Sequence, residues 1–89
     1  ERLKTNIETI SGALEKVNAL RGVTFEKDGK RSLGVIAQEV EKIIPEVVLN
    51  GEVYKSVAYG NIVGVLIEAV KEQQIQINEL NKKLDGLTK

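Results

Sequence analysis

Residues 63–87 read VGVLIEAVKEQQIQINELNKKLDGL. Counted in sevens, Val63, Val70, Ile77 and Leu84 fall at position a, and Leu66, Gln73, Leu80 and Leu87 fall at position d. All but Gln73 are apolar, which is the seam of a helix that needs partner helices. At ~1.5 Å per residue such a helix runs close to ~40 Å, too long for so small a domain to cover. The spacing predicts an oligomerisation helix. The competing reading is one long amphipathic helix folded onto its own chain.

The two halves of this stretch differ. Ile62, Val63, Val65, Leu66, Ile67, Ala69 and Val70 make the first half apolar almost all round, as expected of a helix buried on several sides. After Lys71 the pattern narrows to a stripe among Glu, Gln, Asn and Lys. The first half is expected to pack into a globular part and the second to project as a stalk. Gln73 stands at the changeover, and a polar residue at one seam position can set register or oligomer state at a cost in stability. The flanking e and g positions are mostly neutral (Ala69, Gln74, Gln76, Asn81), so charge does not fix partner orientation.

Outside this helix roughly sixty residues are left to form a core, with one Phe, two Tyr and no Trp or Met, so Val, Ile and Leu must supply it. Self-association would add the missing buried surface. Thirteen basic and thirteen acidic residues balance, and no block of like charge occurs, which argues against a nucleic-acid module held by phosphates. Without cysteine or histidine the chain has no disulfides, no thiolate chemistry, no usual zinc site and no histidine base. Neither a cofactor nor a metal is expected. No apolar run approaches a membrane span, and no signal peptide is visible, so neither membrane nor nucleic acid is an expected partner. The opening Glu-Arg-Leu-Lys has no initiating methionine, so the chain is expected to be a piece of a longer one.

In chain order, residues 1–10 show no helical period and read as an extended lead-in. Ser11 is expected to cap a helix from Ala13 to Arg21, with Leu14, Val17 and Leu20 on one face and Gly22 at its end. Val23 to Lys27 and Arg31 to Ile36 read as strands joined by an Asp28-Gly29 hairpin turn. Ala37 to Ile44 reads as a short helix with Val40, Ile43 and Ile44 inward, stopped by Pro45. A second hairpin pairs Val47 to Leu49 with Val53 to Val57 through Asn50-Gly51. The long helix then starts near Tyr59 or Gly60. The expected fold is α+β: a small part over residues 1–58 with two β-hairpins and short helices, then a long C-terminal helix over residues 59–89. Glu39, Glu41, Glu46 and Glu52 are expected to be mostly solvated. No Gly-rich phosphate loop or repeat appears. Composition and periodicity stop at a small module that oligomerises through its last helix.

Three stretches add a resemblance. Arg2-Leu3-Lys4-Thr5-Asn6-Ile7 is like an R-L-K-x-N-I opening. Gly34-Val35-Ile36-Ala37-Gln38-Glu39-Val40, with Pro45-Glu46 after it, is like G-x-I-A-Q-E-V-x(4)-P-E. Tyr54-Lys55-Ser56-Val57-Ala58-Tyr59 continues into Leu66-Ile67-Glu68-Ala69-Val70-Lys71-Glu72-Gln73. In this order and spacing they resemble the intramolecular chaperone domain at the C-terminus of phage tail fibres, tail spikes and endosialidases. A related domain occurs in the myelin regulatory factor. Ala58 and Gly60 stand where that family often has an acidic and a small polar residue, and Gly64 where it often has proline.

The resemblance implies a homotrimeric coiled coil and a partner in the upstream fibre or spike region of the same polypeptide, which the domain helps to trimerise in the host cytoplasm during virion assembly. Val or Ile at a with Leu at d favours two strands in isolated coiled coils; the family implies three. It further implies self-release by a serine-lysine mechanism, after which the domain leaves the fibre or stays near it. The family's serine opens an S-D-x-R-L-K motif and is cut just before itself, so it would lie upstream of Glu1, and the chain as it stands is expected to be inactive. Lys4 matches the family's lysine, and Asn6 is a candidate support for the attacked carbonyl. The alternative function is a non-catalytic coiled-coil oligomerisation or adaptor module; denaturing electrophoresis of a precursor separates the two, because only a self-releasing one yields two fragments.

Overall fold

The computed structural model describes residues 4–88. Among them the elements run α1 (Ala13–Ala19), β1 (Val23–Lys27), β2 (Lys30–Gly34), α2 (Ala37–Ile43), a 3-10 turn (Pro45–Val47), β3 (Val48–Asn50), β4 (Lys55–Val57) and α3 (Tyr59–Thr88). The architecture is α+β, with two separate antiparallel hairpins and a long C-terminal helix. Because α3 extends well past everything else, the radius of gyration is 17.6 Å, against about 12 Å for a compact chain of this length.

Local chemistry explains the first hairpin. Asp28 and Gly29 both adopt positive φ (53° and 75°), the backbone of the tight turn whose twist matches two flanking strands. Lys27 faces Lys30 and Val23 faces Gly34. The second hairpin departs from expectation. Asn50 pairs with Lys55, so the loop spans Gly51 to Tyr54 and is closed by the Gly51 N–H donating to the Tyr54 carbonyl at 3.1 Å. A Cβ at Gly51 would stand 2.7 Å from that oxygen, so the close approach itself requires glycine. Val53 and Tyr54 therefore sit in an exposed loop rather than in a strand.

The helix boundaries also differ. Ser11 does not cap α1: Gly12 occupies the N-cap at φ 64° and no side chain of the cap residue bonds the helix. Leu20, extended, ends it before Arg21 is reached. Likewise α2 stops at Ile43, and the 3-10 turn begins on Pro45, whose missing N–H costs nothing at a first helical position.

The core joins Ala13 of α1, Val40 and Ile44 around α2, Val47 and Val48, and Ile62, Val65 and Ala69 of α3. Ile10, Leu14, Val17, Leu20, Val35, Ile43 and Val57 pack around it. It is small, wholly aliphatic, and holds no buried polar side chain among the described residues. Two ion pairs lace its rim. Arg21, just past α1, meets Glu39 of α2 in a two-pronged contact at 2.9 and 2.8 Å, and Lys55 of β4 meets Glu41 of α2 at 2.6 Å. Glu39 and Glu41 are thus paired rather than simply solvated.

The hydrogen bond from Arg21, reinforced by its charge, holds the Glu39 carboxyl below its ordinary value near 4.5 against some desolvation. A carboxyl lowered on folding contributes stability that is present above its unfolded pKa of about 4.3 and is lost as pH falls through the folded value. The pair is exposed, so the effect is small. Arg21→Met is expected to lower the melting temperature at neutral pH, with the gap from the parent closing in melts below about pH 4. A gap that persists undiminished in acid would assign the loss to packing of the arginine stem instead.

Candidate functional site

Helix α3 carries two stripes set one residue apart. Ile62, Val65, Ala69 and Glu72 point at α1 and the core, and the first three are buried. One step further round, about 100° in a helix, lie Val63, Leu66, Val70, Gln73, Ile77, Leu80, Leu84 and Leu87. The apolar members of this second stripe are 44–81% exposed. From Gln73 to Leu87 every residue is exposed. The apolar first half of the helix is therefore covered by its own chain on one side only. Ile67, at 53%, widens the uncovered face.

Such a face is unusual for an isolated small domain, because an apolar patch much larger than a few hundred Å² marks an interaction surface. Gln73 interrupts it between Val70 and Ile77 at the turn where the globular contacts end. No helix among the described residues is long and apolar enough to cross a membrane.

The lead-in reaches this helix as well. Residues 4–11 form neither helix nor strand. Lys4 is exposed. Asn6 adopts φ 55°, a left-handed conformation that asparagine tolerates better than most residues. This supplies a backbone reason for asparagine at that place in R-L-K-x-N-I, independent of any chemistry. Arg2 and Leu3 of the same motif lie outside the described residues. Ile10 runs beside Gly64, where an added Cβ would stand 3.7 Å from Ile10 Cδ1. The chain then turns through Gly12 into α1, whose first amides are bonded by Glu72: Ala13 N–H donates to Oε2 at 2.9 Å and Leu14 N–H to Oε1 at 3.1 Å. Sequence reading missed this link, since nothing in the local pattern joins positions 58 and 59 residues apart.

The Gly34–Glu46 block is held by packing rather than assembled into a reactive cluster. Gly34 lets the chain pass under Tyr59, whose hydroxyl would stand 2.6 Å from an added Cβ. The same hydroxyl accepts from the Val35 N–H at 3.3 Å, tying the end of β2 to the start of α3. Val40 is the most deeply buried large side chain. No His, Cys, Asp and Glu grouping suited to a metal occurs among the described residues.

The profile of the chaperone of endosialidase matches residues 1–49. The long tail fiber protein Gp37 of Enterobacteria phage K3 is 33% identical over 93% of the chain. Gp37 of Enterobacteria phage M1 is 36% identical over 93%, and that of Enterobacteria phage Ox2 is 37% identical over 89%. The chain spans only 8% of the K3 protein and 38% of the M1 protein. The profile takes in both the lead-in and the block from Gly34 to Glu46, whose glycine, glutamate and valine have each found a structural reason above. On that match, the chain belongs to the chaperone of endosialidase family.

Proposed function

We propose that this domain is an intramolecular chaperone for a phage tail-fibre or tail-spike protein, that it works as a homotrimer built on α3, and that it releases itself by autoproteolysis. The observation that carries the reading is the uncovered a/d stripe of α3 in a chain similar over most of its length to tail fibre proteins. Three copies would bury Val63, Leu66, Val70, Ile77, Leu80, Leu84 and Leu87 around one axis, with Gln73 as a single polar layer. A fibre rich in non-local strand contacts folds slowly and exposes edges while doing so. Three chains joined at one end meet at high effective concentration and in register. The work takes place in the host during virion assembly.

Release uses the serine that the family motif places before Glu1. Its hydroxyl oxygen attacks the carbonyl carbon of the preceding peptide bond. The neutral amine of Lys4 takes the hydroxyl proton and passes it to the departing amide nitrogen; water then hydrolyses the ester and restores the serine. Lysine can act this way when its surroundings favour the uncharged amine, which burial on assembly would supply. Removing the registering domain makes assembly hard to reverse and leaves the fibre stable through its unfolding barrier.

Sedimentation equilibrium is expected to return three times the chain mass, and Leu80→Asp to dissociate the assembly, since each copy would bury an unpaired charge at the axis. A concentration-independent monomer, or a stable dimer, would refute the trimer. In a precursor carrying Ser-Asp and a fibre segment before Glu1, Lys4→Ala and Lys4→Arg are both expected to remain uncut yet trimeric, because arginine keeps its proton. Normal cleavage of either variant removes Lys4 from the reaction. An intact parent precursor leaves the non-catalytic oligomerisation module as the reading.

A further inference from the structure

Helix α1 has seven residues, well below the ~12 or more that an isolated helix needs to persist in water. Its own sequence does not close its first turn, since Gly12 has no side chain and sits at φ 64°. The acceptors come from α3. Both carboxylate oxygens of Glu72 are engaged, one by each of the first two amides, so an anion lies where the partial positive charge of the helix end is greatest. Ala13, carrying the first of these amides, is fully buried. The residue just before the turn, Ile10, runs along Gly64 of the same helix. The lead-in is therefore fixed to α3 at two places, one turn of α3 near Gly64 and another at Glu72.

Among residues 59–87 of α3, Glu72 is also the last that is not exposed, and its neighbour Gln73 lies on the uncovered stripe. The turn of helix that holds α1 is the turn on which that stripe continues. Anything that firms α3 through residue 73 places the carboxylate, and anything that loosens it removes the acceptors from α1.

We infer that Glu72 is a positioning residue which couples the formation of α3 to the placement of the lead-in segment carrying Lys4. This rests on the self-release reading above only for its link to cleavage; the tether itself stands on the hydrogen bonds. In a single copy, where the stripe is uncovered, α3 already runs through residue 72 and Glu72 already closes α1. Covering the stripe with partner helices firms this turn of α3 against opening, and with it the Glu72 cap and the course of residues 4–12. Each opening of the turn in an uncovered copy frees the lead-in and interrupts the geometry at Lys4, so assembly favours cleavage.

The tether is tested on the chain as it exists by amide hydrogen exchange resolved at Ala13 and Leu14. Glu72→Ala is expected to reduce their protection about tenfold or more, the scale of a lost charge-assisted cap, with the amides of residues 65–70 unchanged. Glu72→Gln, which keeps one carbonyl acceptor, should fall between. Unchanged protection of Ala13 and Leu14 in Glu72→Ala overturns the tether. The coupling is tested in the cleavable precursor at a temperature where every variant is folded and trimeric. There Glu72→Ala should cut at least about tenfold more slowly, with Glu72→Gln intermediate. Val65→Ala, which weakens the same helix packing without touching the cap, should stay within about twofold of the parent. Parental cleavage in Glu72→Ala, or equal slowing in Val65→Ala, overturns the coupling. A parent precursor that never cleaves overturns self-release and the coupling with it, while the exchange result still decides the tether.

Discussion

The globular part is assembled on one side of one helix. Ile62, Val65 and Ala69 of α3 form a wall of the aliphatic core, and α1 lies against that wall with its end closed by Glu72. Because successive residues on a helix are turned by about 100°, a face used for the core leaves a neighbouring face free. Here the free face is apolar as well. The same turns of α3 thus serve the interior of the chain on one side and carry an uncovered apolar stripe on the other, and neither stripe can be altered without regard to the one beside it.

The signature between Gly34 and Glu46 is a folding signature. Gly34 makes room for Tyr59, Val40 fills the core, Glu39 and Glu41 fasten α2 to Arg21 and Lys55, and Pro45 opens the 3-10 turn. Each is accounted for by something it touches or a backbone it permits. The R-L-K-x-N-I lead-in differs in kind. Lys4 lies exposed on a lead-in that forms neither helix nor strand, and Asn6 takes a left-handed backbone there.

Elements whose causes are local were legible in the sequence. Asp28-Gly29 dictated a turn through positive φ, Pro45 ended α2, and the seven-residue period marked α3 and its stripe. Misreadings came where a longer-range contact outcompeted a local rule. Ser11 is a good capping residue by type, yet a carboxylate from the far end of the chain occupies the position it would fill. Asn50-Gly51 resembles a two-residue turn, but the Gly51 to Tyr54 closure makes a wider loop and removes Val53 and Tyr54 from the strand. The Gly34 and Tyr59 fit was invisible for the same reason: it joins residues 24 or more apart by shape alone. The changeover at Gln73 was legible because burial along one helix is written in its composition.

The boundary at Glu72 has a consequence for how the molecule comes apart. Opening free energies in a native protein run from nearly zero at unsupported ends to the global value in the core. Every residue of the arm from Gln73 to Leu87 is exposed, so the globular part supports it little and in a lone chain it frays from its tip much as an isolated helix would. Fraying meets its first real resistance at Glu72, where one more turn of melting also strips two amides of α1 of their acceptor. The arm can thus be dissolved piece by piece at little expense, whereas the next step inward is cooperative. In a solitary copy this terminus is a graded element joined to an all-or-none one, with a single carboxylate at the seam between the two regimes.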